Sequence, residues 1–311
     1  MSAFLTLPPN FSALADLAWE RARALPGFIG ERELRALLML AAAAPAAGSP
    51  PGAPAKRSAD LEPRGPRVGV SMPPRAVAAG RLTSGTRAVG APGPAPTIVE
   101  IGSFKGKSTV GLATLAQALG LGPVVSIDPH DSPSVTDPGV ASYHAFMANL
   151  AGAGLREMVE VHRACSRDVA PSWRRPIRLL WIDGDHTYAG AREDFELFSP
   201  FLADGALVAL HDSLHFFEGP IRVMVDHILA SDRFGPAGFL HTIAWAQFRP
   251  QDGARWRAPR RRLARRAARL LPLVAPPRQN RGLNRLRYKL ALAQVPHAVP
   301  APEAWLAQAN A

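Results

Sequence analysis

The chain has 311 residues, 47% of them hydrophobic, which is enough for one large domain or two small ones with a sizeable core. Its single cysteine, Cys165, excludes an intramolecular disulfide framework and a cysteine-based zinc site, and predicts a reducing, cytoplasmic setting. The formal net charge of +11 lies in residues 251–311, which carry 13 basic and two acidic side chains. Residues 1–250 are neutral, so the composition does not indicate a nucleic-acid-binding core.

The N-terminal region predicts helices followed by a segment of different composition. Apolar residues at helical spacing predict two helices within residues 11–44, separated at Pro26-Gly27. We interpret residues 1–44 as a helical lead-in. Residues 45–96 contain 11 of the 31 prolines and offer no continuous apolar face, which predicts a disordered insertion. An ordered lid over a site is the alternative.

From residue 97 to residue 250 the pattern alternates between apolar runs and amphipathic segments, which predicts a doubly wound α/β domain with a mostly parallel sheet. Residues 238–249 could add one or two closing strands. The predicted strands are Thr97–Ile101, Val124–Asp128, Met158–His162, Ile177–Asp183 and Ala206–His211, and the predicted helices lie at about 107–119, 140–151, 167–172 and 187–200.

The last segment, residues 251–311, is rich in arginine. Apolar residues recur at helical spacing between Trp256 and Val274, among many arginines, which predicts a basic amphipathic helix. Such a helix suits an anionic membrane surface or another polyanion. A solvated tail is the alternative interpretation.

The turn after the first predicted strand reads EIGSFKGKS, residues 100–108. Phe104 stands where a dinucleotide fingerprint needs its second glycine, which lets the backbone approach a pyrophosphate. A P-loop is also excluded, because only three residues separate Gly102 from Gly106. A carboxylate at Glu100 would repel phosphates and suit a cationic cofactor. S-adenosylmethionine (SAM) is a cofactor of this kind, because it carries positive charge.

Further polar residues follow the next two predicted strands, where ligands of doubly wound sheets bind. Asp128 is positioned to accept hydrogen bonds from ribose hydroxyls, and Ser166 lies where an adenine edge would be expected. The complete predicted cofactor set is Glu100, Gly102, Ser103, Gly106, Ser108, Asp128 and Ser166. Ordinary turn and capping roles are the alternatives for each residue taken alone.

Three motifs carry a family resemblance: VEIGSFKGKST, VVSIDPHD and LLWIDGDHTYAGAREDFELFSPFLADGALVALHDS. Residues 97–213 resemble class I SAM-dependent methyltransferases, and more narrowly methyltransferase family 24. The resemblance implies a Rossmann-like, seven-stranded sheet, and it extends to residues 11–44 and 97–250. Residues 45–96 and the arginine-rich segment have no counterpart in it.

A second acidic centre follows the fourth and fifth predicted strands. Asp183 and His186 follow one strand, and His211-Asp212 follows the other, so two carboxylates and an imidazole could bind a divalent cation such as Mg²⁺. The resemblance implies Asp183, His211 and Asp212 as metal ligands and His186 as the base. His211 stands where the family has an acidic residue, and an imidazole is a less natural ligand of Mg²⁺. Mn²⁺, Zn²⁺ or a metal-free site are therefore the alternatives. A cofactor contact by Asp183 and a structural role for His186 are further alternatives.

These residues predict O-methylation of a hydroxyl group on a small molecule or sugar, with His186 and Asp183 as catalytic residues. One alternative is a hydroxylase-like relative whose iron would be held by Asp183, His186 and His211. Another is a non-catalytic SAM-binding module that the basic residues 251–311 recruit to an anionic surface. Nucleic acid is disfavoured as the substrate because the catalytic region is neutral. We expect a cytoplasmic protein, with peripheral membrane contact as an option.

Overall fold

The structure is a computed structural model that describes residues 4–45, 95–130, 142–274 and 282–311. Its centre is a seven-stranded sheet in the order β3-β2-β1-β4-β5-β7-β6, in which β1 to β5 run parallel and β7 is antiparallel to both of its neighbours. This confirms the predicted doubly wound, mostly parallel sheet. The strands are β1 Thr97–Ile101, β2 Val124–Ile127, β3 Val159–His162, β4 Ile177–Ile182, β5 Leu202–Leu210, β6 Phe234–Leu240 and β7 Ile243–Phe248.

Helices cover both faces of this sheet. Those described are α1 Phe11–Ala22, α2 Glu31–Ala43, α3 Lys107–Leu119, α4 Tyr143–Gly152, α5 Ser166–Val169, α6 Tyr188–Phe198, α7 Glu218–Val223, α8 Arg257–Ala267, α9 Leu271–Val274, α10 Gly282–Leu292 and α11 Pro302–Asn310. A π-helical segment, Met224–Leu229, continues α7. Among the helices of the described residues, none combines the length and the apolar content that crossing a bilayer requires.

The central strands are apolar along their whole length because both faces of the sheet are covered. In β4, Leu179 and Trp181 join the core on the side of α1, α2 and α3, whereas Leu180 and Ile182 join the core beneath α6 and α7. This alternation follows the two-residue period of a strand. Buried apolar area on both sides therefore fixes the register of the strands.

The register brings the carboxyl ends of the central strands to one level. Ile101 of β1 pairs with Ile182 of β4, which pairs with Leu210 of β5. The ladder extends one step further, since Asp183 N–H donates to Ile101 O at 2.8 Å and His211 N–H donates to Ile182 O at 3.0 Å. The residues that follow these strands must therefore lie together at one edge.

The structure differs from the sequence-based expectation in several elements, among them α10 and α11 of the C-terminal region, which were not expected. β5 begins at Leu202 rather than Ala206, and β6 begins at Phe234 rather than within residues 238–249. The helical stretch from Glu218 to Leu229 was not expected. The predicted insertion at residues 45–96 lies outside the described residues except at its two ends.

The C-terminal region packs on the domain. Ala267, Leu270 and Val274 are buried in the core beneath α6 and α7, so the apolar face of the predicted amphipathic helix is covered. Trp305 of α11 lies against Trp245 of β7, with ring centroids 5.2 Å apart. Because aromatic pairs at this separation attract each other, α11 is held against the sheet.

Candidate active site at the carboxyl edge of the sheet

The glycine turn after β1 lies directly against the loop after β4. Gly102 has φ +85°, and a Cβ atom built on it would lie 2.2 Å from the carbonyl oxygen of Asp183. Any side chain at this position would therefore collide with backbone. Gly106 has φ +88° and faces the ring of Phe146, which a Cβ atom would approach to 2.9 Å. The two glycines allow the chain to turn tightly into α3.

Phe104 adopts a left-handed conformation, with φ +48°, between these glycines. Its ring stacks on Phe28 of the lead-in segment, with centroids 5.8 Å apart. A non-glycine residue in this region is uncommon and must be held by its surroundings. The turn is therefore shaped by contacts with the lead-in segment as well as by its own glycines.

Asp128 fixes the backbone of the turn. Its Oδ2 accepts hydrogen bonds from the N–H groups of Ser103 and Phe104, both at 2.8 Å, and its Oδ1 accepts one from His130 N–H at 2.7 Å. The predicted ribose acid thus has a structural task in this structure. One lone pair of Oδ1 remains for a further donor, since a carboxylate offers about four acceptor positions.

Glu100 is fully buried beneath the turn. Its two carboxylate oxygens accept hydrogen bonds from the hydroxyls of Ser108 and Thr109, each at 2.5 Å. Burial raises the pKa of Glu100 to about 8. The two hydroxyls oppose this rise, and the negative charges of Asp183 and Asp128 add to it. Burial is thus the main cause of this shift, and Asp183 and Asp128 add negative charge near the turn.

The two remaining predicted cofactor residues are serines with protein partners. Ser103 is buried, and its Oγ accepts a hydrogen bond from Ser126 Oγ at 2.8 Å. Ser166 begins α5 and hydrogen-bonds Asp194 of α6, whose pKa is raised to about 6 by burial. Ser166 lies after β3, at the same edge as Asp128, as the sequence predicts.

The second acidic centre consists of Asp183, His186 and Asp212. Each offers one ligand atom, and these atoms lie within 4.8 Å of one another. His186 Nε2 is 3.2 Å from Asp212 Oδ2 and 3.7 Å from Asp183 Oδ1. This nitrogen is buried without a well-formed hydrogen bond among the described residues. Such a donor set and such an atom fit a divalent cation.

Asp212 has the conformation and charge of a functional residue. Its φ is +51°, in the left-handed region. Burial opposes ionisation of Asp212, but the imidazoles of His186, His215 and His211 hold its pKa well below the ordinary value. Asp212 is therefore a carboxylate at neutral pH. His215 Nδ1 lies 2.8 Å from Asp212 Oδ1.

His211 is not part of this group of converging ligand atoms and lies between the carboxylates of Asp183 and Glu33. It is 2% exposed, its Nδ1 lies 3.0 Å from Asp183 Oδ1, and its Nε2 lies 3.6 Å from Glu33 Oε1. Burial would lower the pKa of His211, but the charge of Asp183, the hydrogen bond with Asp183 and the nearby carboxylate of Glu33 raise it well above its ordinary value. A protonated imidazole has no lone pair for a metal.

Sequence reasoning missed Glu33, which reaches the site from α2. Its side chain accepts hydrogen bonds from Gly30 N–H at 3.0 Å, from His241 Nδ1 at 3.1 Å and from the Thr242 hydroxyl. Burial opposes ionisation, but the nearby imidazole of His211 and the hydrogen bonds from Thr242 and Gly30 lower the pKa of Glu33 to about 2. The acid at the third position of a helix signals a cap, and nothing local signals its contact with His211.

Asp185 and two phenylalanines complete the surroundings. Asp185 accepts hydrogen bonds from Thr187 N–H at 2.8 Å and from the Thr187 hydroxyl at 2.9 Å, and so shapes the turn into α6. The ring of Phe217 lies 4.5 Å from the ring of His186 and is 41% exposed, and Phe216 beside it is 37% exposed. An apolar wall thus borders the acidic centre.

Comparison with known proteins supports the predicted family. The model of methyltransferase family 24, described as a methyltransferase domain, matches residues 99–213. These residues include the glycine turn, Asp128, Asp183, His186 and Asp212. The match therefore covers the whole carboxyl edge of the sheet that the geometry identifies.

Three solved structures are similar to this chain. The cofactor-bound protein Rv0187 from MTB is 20% identical over 50% of this chain and 73% of its own, with a TM-score of 0.40. An O-methyltransferase from Bacillus cereus in complex with SAH is 20% identical over 49% and 73%, with a TM-score of 0.38. The O-methyltransferase TomG from Streptomyces achromogenes, involved in tomaymycin synthesis and in complex with SAM, is 22% identical over 49% and 73%, with a TM-score of 0.36.

The comparison rests on the family match, because the TM-scores of these solved structures are too low to support an argument. It agrees with the observed strand order and with the glycine turn at the edge of β1. Residues 99–213 of this chain match the methyltransferase domain of family 24.

Proposed function

We propose that this chain is a SAM-dependent O-methyltransferase that acts on a hydroxyl group of a small molecule or sugar. The observation that carries the proposal is the contact between the two halves of the site. Gly102 of the glycine turn lies against the backbone of Asp183, so a cofactor in the turn would have its reactive end beside the acidic centre. Adjacent binding of both reactants is what a displacement reaction requires.

The turn would hold SAM through charge and shape. When bound, SAM supplies an electrophilic methyl group on a sulfonium. The carboxylates of Asp128 and Asp183 beside the turn, and Glu100 once it is ionised, would favour a cationic ligand. Asp128 keeps one acceptor position for a ribose hydroxyl, and Ser103, Ser108 and Ser166 support the walls of the cradle.

Asp183, His186 and Asp212 would bind the acceptor hydroxyl, either directly or through a divalent cation that lowers its pKa. Their atoms lie close enough to hold one ion. In a metal-free site, His186 Nε2 would take the hydroxyl proton, with Asp212 stabilising the imidazolium that forms. We assign His211 to orienting Asp183, because its contacts favour the protonated form.

The hydroxylase alternative is less favoured by these contacts. It would need His186 and His211 as two neutral ligands of one iron, together with Asp183. His211 instead lies between the carboxylates of Glu33 and Asp183. Stoichiometric iron in the purified protein would reverse this preference.

Three experiments test the proposal. Calorimetric titration of SAM should show binding to the wild type and clearly weaker binding to Glu100→Ala. If the wild type does not bind, or both bind alike, the role of the turn is wrong. A mass-spectrometric screen of hydroxylated compounds with isotopically labelled SAM would then identify the acceptor. If activity survives prolonged chelation unchanged, the proposed role of a metal is wrong.

The second part of the proposal concerns residues 251–311. Their 13 basic and two acidic side chains would bring the enzyme to an anionic surface.

A further inference from the structure

Helix α10 exposes an apolar stripe within this basic region. Leu283, Leu286 and Leu290 are 63%, 54% and 60% exposed. Their spacing of three and four residues places them on one face of the helix. The opposite face carries Tyr288 and Ala291, which are buried against the domain. The helix is therefore held by one face and offers leucines to solvent on the other.

The neighbouring helix α8 does not have this property. Its apolar side is covered, since Ala267 is buried and Leu263 packs on the same core. The arginines Arg261, Arg262, Arg265 and Arg266 are exposed on it. α8 and α10 are neighbours, so these arginines add positive charge to the region around the leucine stripe.

Basic side chains border the stripe on α10 itself. At about 100° of rotation per residue, Arg287 and Lys289 fall on opposite sides of the three leucines. Both side chains are exposed. Residues 251–311 hold only two acids against 13 basic residues, and one of the two, Asp252, pairs with Arg249 at 2.6 Å. The surface thus combines uncovered apolar area with unbalanced positive charge.

We propose that α10 binds the interface of an anionic lipid bilayer. The leucines would enter the boundary between headgroups and acyl chains, and the flanking basic residues would contact lipid phosphates. If the partner were a polyanion such as nucleic acid, the leucines would remain in water. If it were a neutral apolar groove, the basic side chains would have no oppositely charged partner. The inference rests on the proposed contact of residues 251–311 with an anionic surface and is independent of methyl transfer.

The buried face of α10 connects this surface with the acidic centre. The Tyr288 hydroxyl donates to the carbonyl oxygens of Leu214 and His215, at 2.7 and 2.9 Å. Its ring lies 4.3 Å from the ring of Phe216. Because the loop that follows Asp212 is hydrogen-bonded to α10, a docked helix would hold the active site at a fixed position above the lipid surface.

The test is sedimentation of the full chain with vesicles of phosphatidylglycerol and phosphatidylcholine, and with vesicles of phosphatidylcholine alone. We expect the wild type to bind the anionic vesicles, with weaker binding at about 0.5 M salt. The variant L283Q/L286Q/L290Q keeps good helix formers and all charges, and should bind at least about tenfold more weakly.

Leu17→Gln is the matched control, because Leu17 is an exposed leucine on α1. It should bind vesicles as the wild type does. Equal binding by the triple variant, or no binding by the wild type, would overturn the inference. A wild-type dimer that the triple variant converts to a monomer, without vesicle binding, would assign the stripe to self-association and equally overturn it. SAM titration of the same proteins reports on the proposed methyl transfer separately.

Discussion

The environment of Glu100 differs strongly from water. It is fully buried, and two hydroxyls donate to its carboxylate. Burial and the neighbouring carboxylates nevertheless raise its pKa to about 8. The folded protein therefore carries a neutral Glu100 at pH 7, while the unfolded chain carries an ionised one. A bound cation would favour the ionised form, so cofactor binding should release a proton.

Glu100→Gln should remove this linkage. Between the unfolded pKa of 4.5 and the folded value of about 8, the native state holds a proton that the unfolded state has lost, so wild-type stability falls as pH rises. Glutamine mimics the neutral acid. The variant should gain on the order of 2–5 kcal/mol relative to the wild type between pH 5 and pH 9. Urea unfolding across this range measures it, and a difference that does not change with pH would refute the linkage.

Gly102→Ala tests how closely the two halves of the site approach each other. A Cβ atom would lie 2.2 Å from Asp183 O, and the left-handed φ of +85° adds strain. We expect destabilisation of about 3 kcal/mol or more in urea unfolding. Gly120→Ala is the control, because its φ is +62° but nothing lies within 4 Å of the added atom. It should cost about 1 kcal/mol. Equal costs would mean that the loops do not touch.

At the scale of secondary-structure elements, α2 is tied to the sheet edge by Glu33. Its carboxylate lies among His211, His241 and Thr242, which come from three positions after β5 and β6. At the other end of α2, the buried Arg178 of β4 donates to the carbonyl oxygens of Ala41 and Ala44. Both ends of the helix are thus held by charged groups, which fixes the lead-in segment against the site.

Glu33→Gln should loosen this attachment. The pKa of Glu33 is lowered to about 2, so its contribution is present above the unfolded value of 4.5 and is lost as pH falls from there toward 2. We expect a loss of about 2–3 kcal/mol at pH 7 that shrinks below pH 4, measured by urea unfolding. Glu31→Gln, on the same helix and paired with Arg35 in solvent, should cost less than about 0.5 kcal/mol. A similar loss in both variants would contradict the proposed role.

The sequence predicted best those elements whose pattern is local. β1 and β4 are continuous buried runs, and their predicted ends agree with the structure to within one residue. The start of β5 was missed because Asp204 and Gly205 interrupt its apolar run. Likewise, Gly235-Pro236 hides the start of β6. The contact of Glu33 with His211 could not be predicted, since it depends on how α2 packs across the sheet.

At the scale of the whole molecule, the cofactor half and the acidic half of the site are built from different strands. The turn follows β1 and is fixed by Asp128 after β2, whereas Asp183 and Asp212 follow β4 and β5. They meet where Gly102 contacts the Asp183 backbone and where Asp183 N–H donates to Ile101 O. A change in a side chain that points away from this contact should therefore affect one function and spare the other.

Asp212→Asn makes such a change. Asparagine tolerates the left-handed φ of +51° and keeps the shape of the side chain, but it removes the charge that His186 and His215 contact. We expect the variant to keep its SAM affinity within about threefold and to lose Mn²⁺ binding by about tenfold or more, since a ligating carboxylate is replaced by a neutral amide. Calorimetric titrations with SAM and with Mn²⁺ alone measure both. The control is Asp204→Asn. Asp204 is a half-buried residue of β5 away from this edge, and its replacement should change neither affinity. If Asp212→Asn weakened SAM and Mn²⁺ binding to the same extent, the two halves of the site would be one coupled unit, and the separation proposed here would be wrong.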